Sequence, residues 1–177
     1  LAHQKGFDLI IPVLKRLFKK LDFSFILFGS GNQEFEKLLK DLESIYPSKV
    51  SINIEYNNKM AHWVEAGSDF FLMPSKYEPC GLNQMFSMKY GTIPIVRETG
   101  GLKDTVLDLS LNPQLGNGFS FKYYTEKELE KTIIRALQWY INSSSDNINK
   151  IRRRIMQEDF SWKKSANEYI SIYKKLL

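Results

Sequence analysis

The sequence predicts an α/β fold: a Rossmann-like parallel sheet with helices on both faces. Two observations carry that expectation. Short apolar runs of strand character alternate with amphipathic stretches of about 10–15 residues, the rhythm of strand–helix–strand units. The apolar runs also end in glycine- or proline-bearing loops that lead directly into the next amphipathic stretch.

Taken in order, Gly6 to Lys20 carries Phe7, Ile10, Ile11, Leu14, Leu17 and Phe18 at helical spacing, with Pro12 in the early turns where it is tolerated. Phe23 to Phe28 is an apolar strand stopped by Gly29-Ser30-Gly31. Glu34 to Ile45 returns to helical spacing through Phe35, Leu38, Leu39 and Leu42, and Val50 to Ile54 alternates as a β-branched strand. A short helix from Met60 to Ala66 stops at Gly67, and Phe70 to Met73 is a buried strand closed by Pro74. The second half reads as a helix from Gly81 to Tyr90, a strand Ile93–Val96 and a short helix opened by Gly100-Gly101. A last strand spans Gly118 to Phe121. Three helices close the chain: Glu126 to Ile141, Asp146 to Met156 and Trp162 to Leu176. The Ser143–Asp146 cluster and Ser161 serve as caps.

The chain has 177 residues and is 43% hydrophobic, enough for one full core and too apolar for a disordered chain. A single cysteine excludes an intrachain disulfide framework and suits a reducing compartment. No apolar run reaches the roughly 20 residues of a membrane span, and no signal peptide is visible. The net charge of +5 permits an anionic partner, but the only dense basic run, Arg152 to Arg154, is too short for a nucleic-acid footprint. Neither a nucleic-acid nor a membrane partner is expected, and no His/Cys/Asp spacing fits a metal site.

In parallel sheets, ligands bind at the carboxyl ends of the strands. The informative loops are therefore Gly29–Gly31, Glu55–Asn58, Pro74–Gly81 and Arg97–Gly101. Gly29-Ser30-Gly31 reads either as a plain strand-to-helix turn or as a place where a ligand approaches backbone N–H groups. Thr99-Gly100-Gly101-Leu102 offers a hydroxyl and helix-start amides suited to a diphosphate, or merely a glycine turn. In Lys76–Leu82, Glu78 either accepts hydrogen bonds from a polyhydroxyl ligand or complements a helix dipole. Gly81 admits a ligand to the helix N-terminus. Cys80 has no placed base, so a thiol nucleophile is disfavoured; otherwise it fills space as a small buried apolar residue. Tyr56 follows a strand, where its ring can stack on a planar base or join the core. Lys5 can meet a phosphate or remain a solvated surface charge.

Together these segments resemble a known family. Gln4-Lys5-Gly6, Asp69–Ser75, Tyr77-Glu-Pro-Cys-Gly-Leu82, Lys89–Arg97, Thr99-Gly-Gly-Leu102 with Asp104-Thr-Val106, Gly118-Phe119 and Asp159-Phe-Ser-Trp162 are similar to the C-terminal half of bacterial glycogen synthases and plant starch synthases, glycosyltransferase family five. The resemblance spans essentially the whole chain. It implies residues 1–177 as the C-terminal nucleotide-sugar-binding domain of a GT-B enzyme, with an active site between two Rossmann-like domains. It implies transfer of glucose from ADP-glucose, or UDP-glucose in some members, to the non-reducing 4-OH of an α-1,4-glucan, with retention and without metal or other cofactor. By motif match, Lys5 would bind donor phosphate and Tyr56 would stack on adenine. Glu78, Cys80, Gly81 and Leu82 would hold the glucosyl hydroxyls, and Thr99, Gly100, Gly101 and Leu102 would approach the diphosphate and glucose. Glu78 would orient the donor and support an oxocarbenium-like transition state. The final helix would cross back towards the partner domain. The setting implied is cytoplasmic, or plastidial in a plant.

The family pattern carries an Arg just before the segment matching Leu1, at the end of a first strand. The expectation is therefore that this strand and the acceptor-binding N-terminal domain lie outside the chain, and that the chain alone is inactive. The alternative is the donor domain of another retaining GT-B transferase using a different nucleotide sugar. Sucrose- and trehalose-type synthases usually carry a second Glu eight positions after the first, where this sequence has Phe86.

Overall fold

The computed structural model describes residues 1–176 and bears out the alternation. A 3-10 turn, His3–Lys5, leads into α1 (Phe7–Leu17), β1 (Phe25–Phe28), α2 (Gln33–Ile45), β2 (Val50–Asn53), α3 (Asn58–Gly67) and β3 (Phe70–Met73). Then come α4 (Asn83–Tyr90), β4 (Ile93–Arg97), α5 (Gly101–Thr105), β5 (Phe119–Phe121), α6 (Glu126–Asn142), α7 (Ser145–Met156) and α8 (Trp162–Leu176). Side-chain caps set several boundaries. Asn32 accepts from the N–H groups of Glu34 and Phe35 at α2, and Thr125 and Ser144 cap α6 and α7. Asn57 does the same for Met60, which starts α3 at Asn58 rather than at Met60.

All strand pairs are parallel, in two ladders. β1 pairs with β2, Phe25 opposite Val50, while β3, β4 and β5 pair in that order, Phe70 opposite Ile93 and Ile95 opposite Phe119. The sequence leads one to expect a single sheet; among the described residues no ladder joins β1 to β3. The first residues bridge the two ladders at their carboxyl ends instead. The Leu1 amino group donates to the Ser30 carbonyl just past β1, Asn32 N–H donates to the Leu1 carbonyl at 2.8 Å, and Lys76 N–H, just past β3, donates to the Gln4 carbonyl at 2.8 Å.

The core follows the same division. Val13, Leu17, Leu39, Leu42 and Ile52 bury α1 and α2 against the first ladder, and Leu129 of α6 and Phe121 of β5 join the same cluster. Met88, Ile93, Phe119, Ala136 and Ile155 bury α4, α6 and α7 against the second. Helix α6 contributes to both and so ties the ladders together. Helix α8 buries none of its residues.

Half-buried Glu65, near the end of α3, has its carboxyl pushed up to about 7 by burial. A folded-state pKa raised above the unfolded value gives stability that is full at low pH and lost as pH rises through about 7. Glu65→Gln is therefore expected to stabilise the fold at pH 8 by about 1 kcal/mol after allowance for solvent exposure, seen as a higher melting temperature, and to leave stability unchanged near pH 4. Thermal melts of both proteins across that range check the sign.

Candidate active site

The carboxyl ends of β1, β3 and β4 meet around one ion pair. Lys5 Nζ lies 2.6 Å from Glu78 Oε2, and the buried Ser75 hydroxyl donates to the same oxygen at 3.1 Å. Glu78 is 8% exposed, and its Oε1 accepts from no protein group among the described residues. Two donors thus hold one carboxylate oxygen while the other remains available. Lys5 keeps 43% of its side-chain exposure, so its charge still faces solvent.

The loop that carries Glu78 is fixed from three sides. Arg97, the last residue of β4, donates from Nε to the Ser75 carbonyl at 2.8 Å and from Nη2 to the Lys76 carbonyl. Burial draws its guanidinium below the ordinary value, and the Tyr124 ring lies under it at 5.6 Å. Tyr124 in turn donates to Asp8 at 2.6 Å, and burial together with that bond raises its phenol well above the ordinary range. From the first segment, Gln4 Nε2 donates to the Tyr77 carbonyl at 3.0 Å.

The third side is the glycine pair. Gly101 N–H donates to the Glu78 and Pro79 carbonyls, both at 3.3 Å. A Cβ on Gly100 would overlap the Glu78 carbonyl oxygen, and one on Gly101 would overlap the Cys80 carbonyl oxygen. Gly100 also sits at φ 46°, in the left-handed region that favours glycine. These contacts correct one expectation. The amides of Gly101, Leu102 and Lys103 are not turned to a cleft but are committed to the carbonyls of Glu78 and Pro79, of Thr99 and of Gly100. The N–H groups of Thr99 and Gly100 and the Thr99 hydroxyl have no protein partner among the described residues. Glu98, just before them, is anchored to β5 by the Ser120 hydroxyl at 2.8 Å.

The other expected residues divide by exposure. Tyr56 is 89% exposed, not a core aromatic. Cys80 is exposed rather than a buried apolar filler, because the loop turns its side chain outward while its carbonyl packs on Gly101. Leu82 is 53% exposed; Leu102 is fully buried among Met73, Val96 and Val106, and its side chain packs beneath Gly81 rather than facing the site. Glu78 does not cap a helix, since α4 begins at Asn83 and the carboxylate pairs with Lys5. Neither histidine serves Cys80: His3 packs edge-on against Phe35, and His62 Nδ1 shares a hydrogen bond with the Tyr90 hydroxyl. No group of three or more His, Cys, Asp or Glu suited to a metal ion occurs among the described residues, and no described helix is long and apolar enough to cross a membrane. Ser75 and Arg97 lie within the post-strand loops that the sequence marks, though no role attaches to either from sequence, and the buried Gln84 lies outside those loops. For Gln84 the one available signal is its position two residues after Leu82.

Residues 1–154 match the family described as glycosyl transferases group 1. The chain belongs to that family. Within it, the chain is 45% identical over all 177 residues to a glycogen synthase of Thermosipho africanus and 46% identical to one of Kosmotoga olearia. It spans 36% and 37% of the lengths of those curated relatives. The catalytic domain of starch synthase IV from Arabidopsis thaliana, solved with ADP and acarbose, superposes with a TM-score of 0.85 at 34% identity, over 99% of this chain and 36% of that one. This glycosyl transferase chain therefore has the fold of a GT-B C-terminal domain, with the Lys5–Glu78 pair at the carboxyl ends of its parallel strands.

If the glycine pair is fixed by direct backbone contact, Gly101→Ala must displace the Cys80 carbonyl. The expected cost is about 3 kcal/mol of unfolding free energy, measured in urea.

Proposed function

We propose that this chain is the donor-binding lobe of a retaining glucosyltransferase that extends an α-1,4-glucan from ADP-glucose. The observation that carries the reading is the Lys5–Glu78 pair at the shared carboxyl edge, flanked by amides of Thr99 and Gly100 that have no protein partner. Cleaving the bond between the anomeric carbon and the diphosphate develops positive charge on the sugar and negative charge on the leaving group. A carboxylate near the first and a lysine near the second is the electrostatic arrangement that reaction requires. Glu78 Oε1 is available to orient and support the glucosyl ring. Among the described residues the Lys5 ammonium is held by Glu78 alone, and it is half-exposed, so an arriving diphosphate can draw it away as a point charge. Exposed Tyr56 offers a free ring face for the base. The glycogen synthase relatives and the ADP named with the starch synthase structure support the glucan and adenine assignments.

The acceptor glucan would bind a second lobe, which fits the relatives' greater length. The divided sheet supports the same view. A strand running into Leu1 would lie between the unpaired edges of β1 and β3, ending where Leu1 meets Ser30. We therefore place catalysis in the two-lobe protein, with the isolated chain inactive. The exposed, unpaired Cys80 suits a cytoplasmic setting.

Calorimetric titration with ADP-glucose, ADP and UDP-glucose tests donor recognition. The expected result is binding of ADP-glucose and ADP, with Lys5→Ala weakening both about tenfold or more, roughly 1.4 kcal/mol. Binding of none of the three, or unchanged affinity in Lys5→Ala, contradicts the assignment. In the two-lobe protein, Glu78→Gln is expected to reduce glucosyl transfer about a hundredfold while ADP affinity holds. Rapid transfer by the isolated chain would contradict the two-lobe requirement.

A further inference from the structure

Gln84 is fully buried in the first turn of α4, directly beneath the Cys80–Leu82 loop. Its Nε2 donates to the Gly81 carbonyl at 2.8 Å and to the Thr105 hydroxyl at 3.0 Å, with a longer contact to the Cys80 carbonyl at 3.5 Å. Its Oε1 is buried and has no hydrogen-bond partner. Burying an unpaired amide oxygen is unfavourable, and an apolar side chain of similar volume would fill the same space without that cost. What an apolar residue lacks is the carboxamide N–H that reaches the Gly81 carbonyl and, at longer range, the Cys80 carbonyl, while Thr105 takes the other donor direction.

Those donors act on peptide planes. In a trans peptide the carbonyl and the following N–H point in opposite directions. Holding the Gly81 carbonyl down to Gln84 turns the Leu82 N–H away from the core. Holding the Cys80 carbonyl between Gln84 and Gly101 does the same for the Gly81 N–H. Neither N–H donates to a protein group among the described residues. Gly81 meets this geometry at φ 72°, with no Cβ to press on Gln84 Oε1.

We propose that Gln84 is a positioning residue that aims the Gly81 and Leu82 amides at the glucosyl hydroxyls of the donor. This rests on the donor-lobe reading above. Gln84 touches no substrate; it sets the direction of two donors that do.

The test uses the full-length protein carrying this chain, with ADP-glucose and ADP titrated into wild type, Gln84→Met and Thr105→Val. Gln84→Met fills the space but cannot hold the carbonyls. It is expected to weaken ADP-glucose about tenfold relative to ADP, with ADP affinity kept within about twofold. Thr105→Val removes one partner of Gln84 without freeing the loop and is expected to leave the ratio unchanged. Selective 15N labels on glycine and leucine give a second readout in the wild type. The Gly81 and Leu82 amide resonances are expected to shift with ADP-glucose beyond any shift with ADP, which decides the matter should Gln84→Met fail to fold. An unchanged affinity ratio in a folded Gln84→Met, or amides indifferent to the glucosyl unit, overturns the role of Gln84 while leaving the donor-lobe reading intact. Failure of the wild type to bind either ligand overturns both.

Discussion

The site depends on one ion pair between residues far apart in the chain. Lys5 reaches Glu78 from the turn that opens the first helix, and Glu78 sits in the loop after β3. A carboxylate with 8% exposure needs compensation, and Lys5 and Ser75 supply it. The pair also joins the two ladders at the end where parallel strands bind ligands, since residues 1–4 run from the end of β1 to the end of β3. A different first segment would leave Glu78 buried with one hydroxyl for company.

Backbone contacts make that pair reproducible. Gly100 and Gly101 let two loops touch carbonyl to backbone, and Arg97 fastens the carbonyls of Ser75 and Lys76. The outcome is a rigid Glu78 loop facing a movable lysine. Rigid donors and acceptors around a charge that develops in the reaction lower its barrier without reorganising. Lys5 is the one member with enough exposure to change partner, as the proposed diphosphate contact requires.

Much of this was legible in the sequence. Short apolar runs bounded by glycine or proline, the alternation of Val50–Ile54 and helical spacing located the strands and α-helices to within a few residues, because burial leaves a direct imprint on residue type. The post-strand rule brought Lys5, Glu78 and Gly100-Gly101 into view, since each lies at a strand exit or an adjoining helix start. The rest depends on contacts that residue type does not encode. Tyr56 has the same composition whether it packs inward or faces solvent. The commitment of the Gly101 amide follows from the Pro79 and Glu78 carbonyls lying opposite, a long-range fact. Gln84 reads as an ordinary polar helix residue, and only its complete burial and its two backbone acceptors set it apart. The division of the sheet leaves no mark on the residue pattern, because an edge without a partner looks the same along the chain as one with a partner; only the family resemblance, with its strand before Leu1, points to it.

In the proposed reaction Lys5 and Glu78 separate to embrace the two halves of a nucleotide sugar. The most direct measurement is a crystal structure of the full-length protein with ADP-glucose. The expected result is Lys5 Nζ within hydrogen-bonding distance of a phosphate oxygen, and Glu78 facing the glucosyl ring. A donor bound elsewhere, or one bound at this edge with the Lys5–Glu78 pair intact and the diphosphate untouched by Lys5, would contradict it.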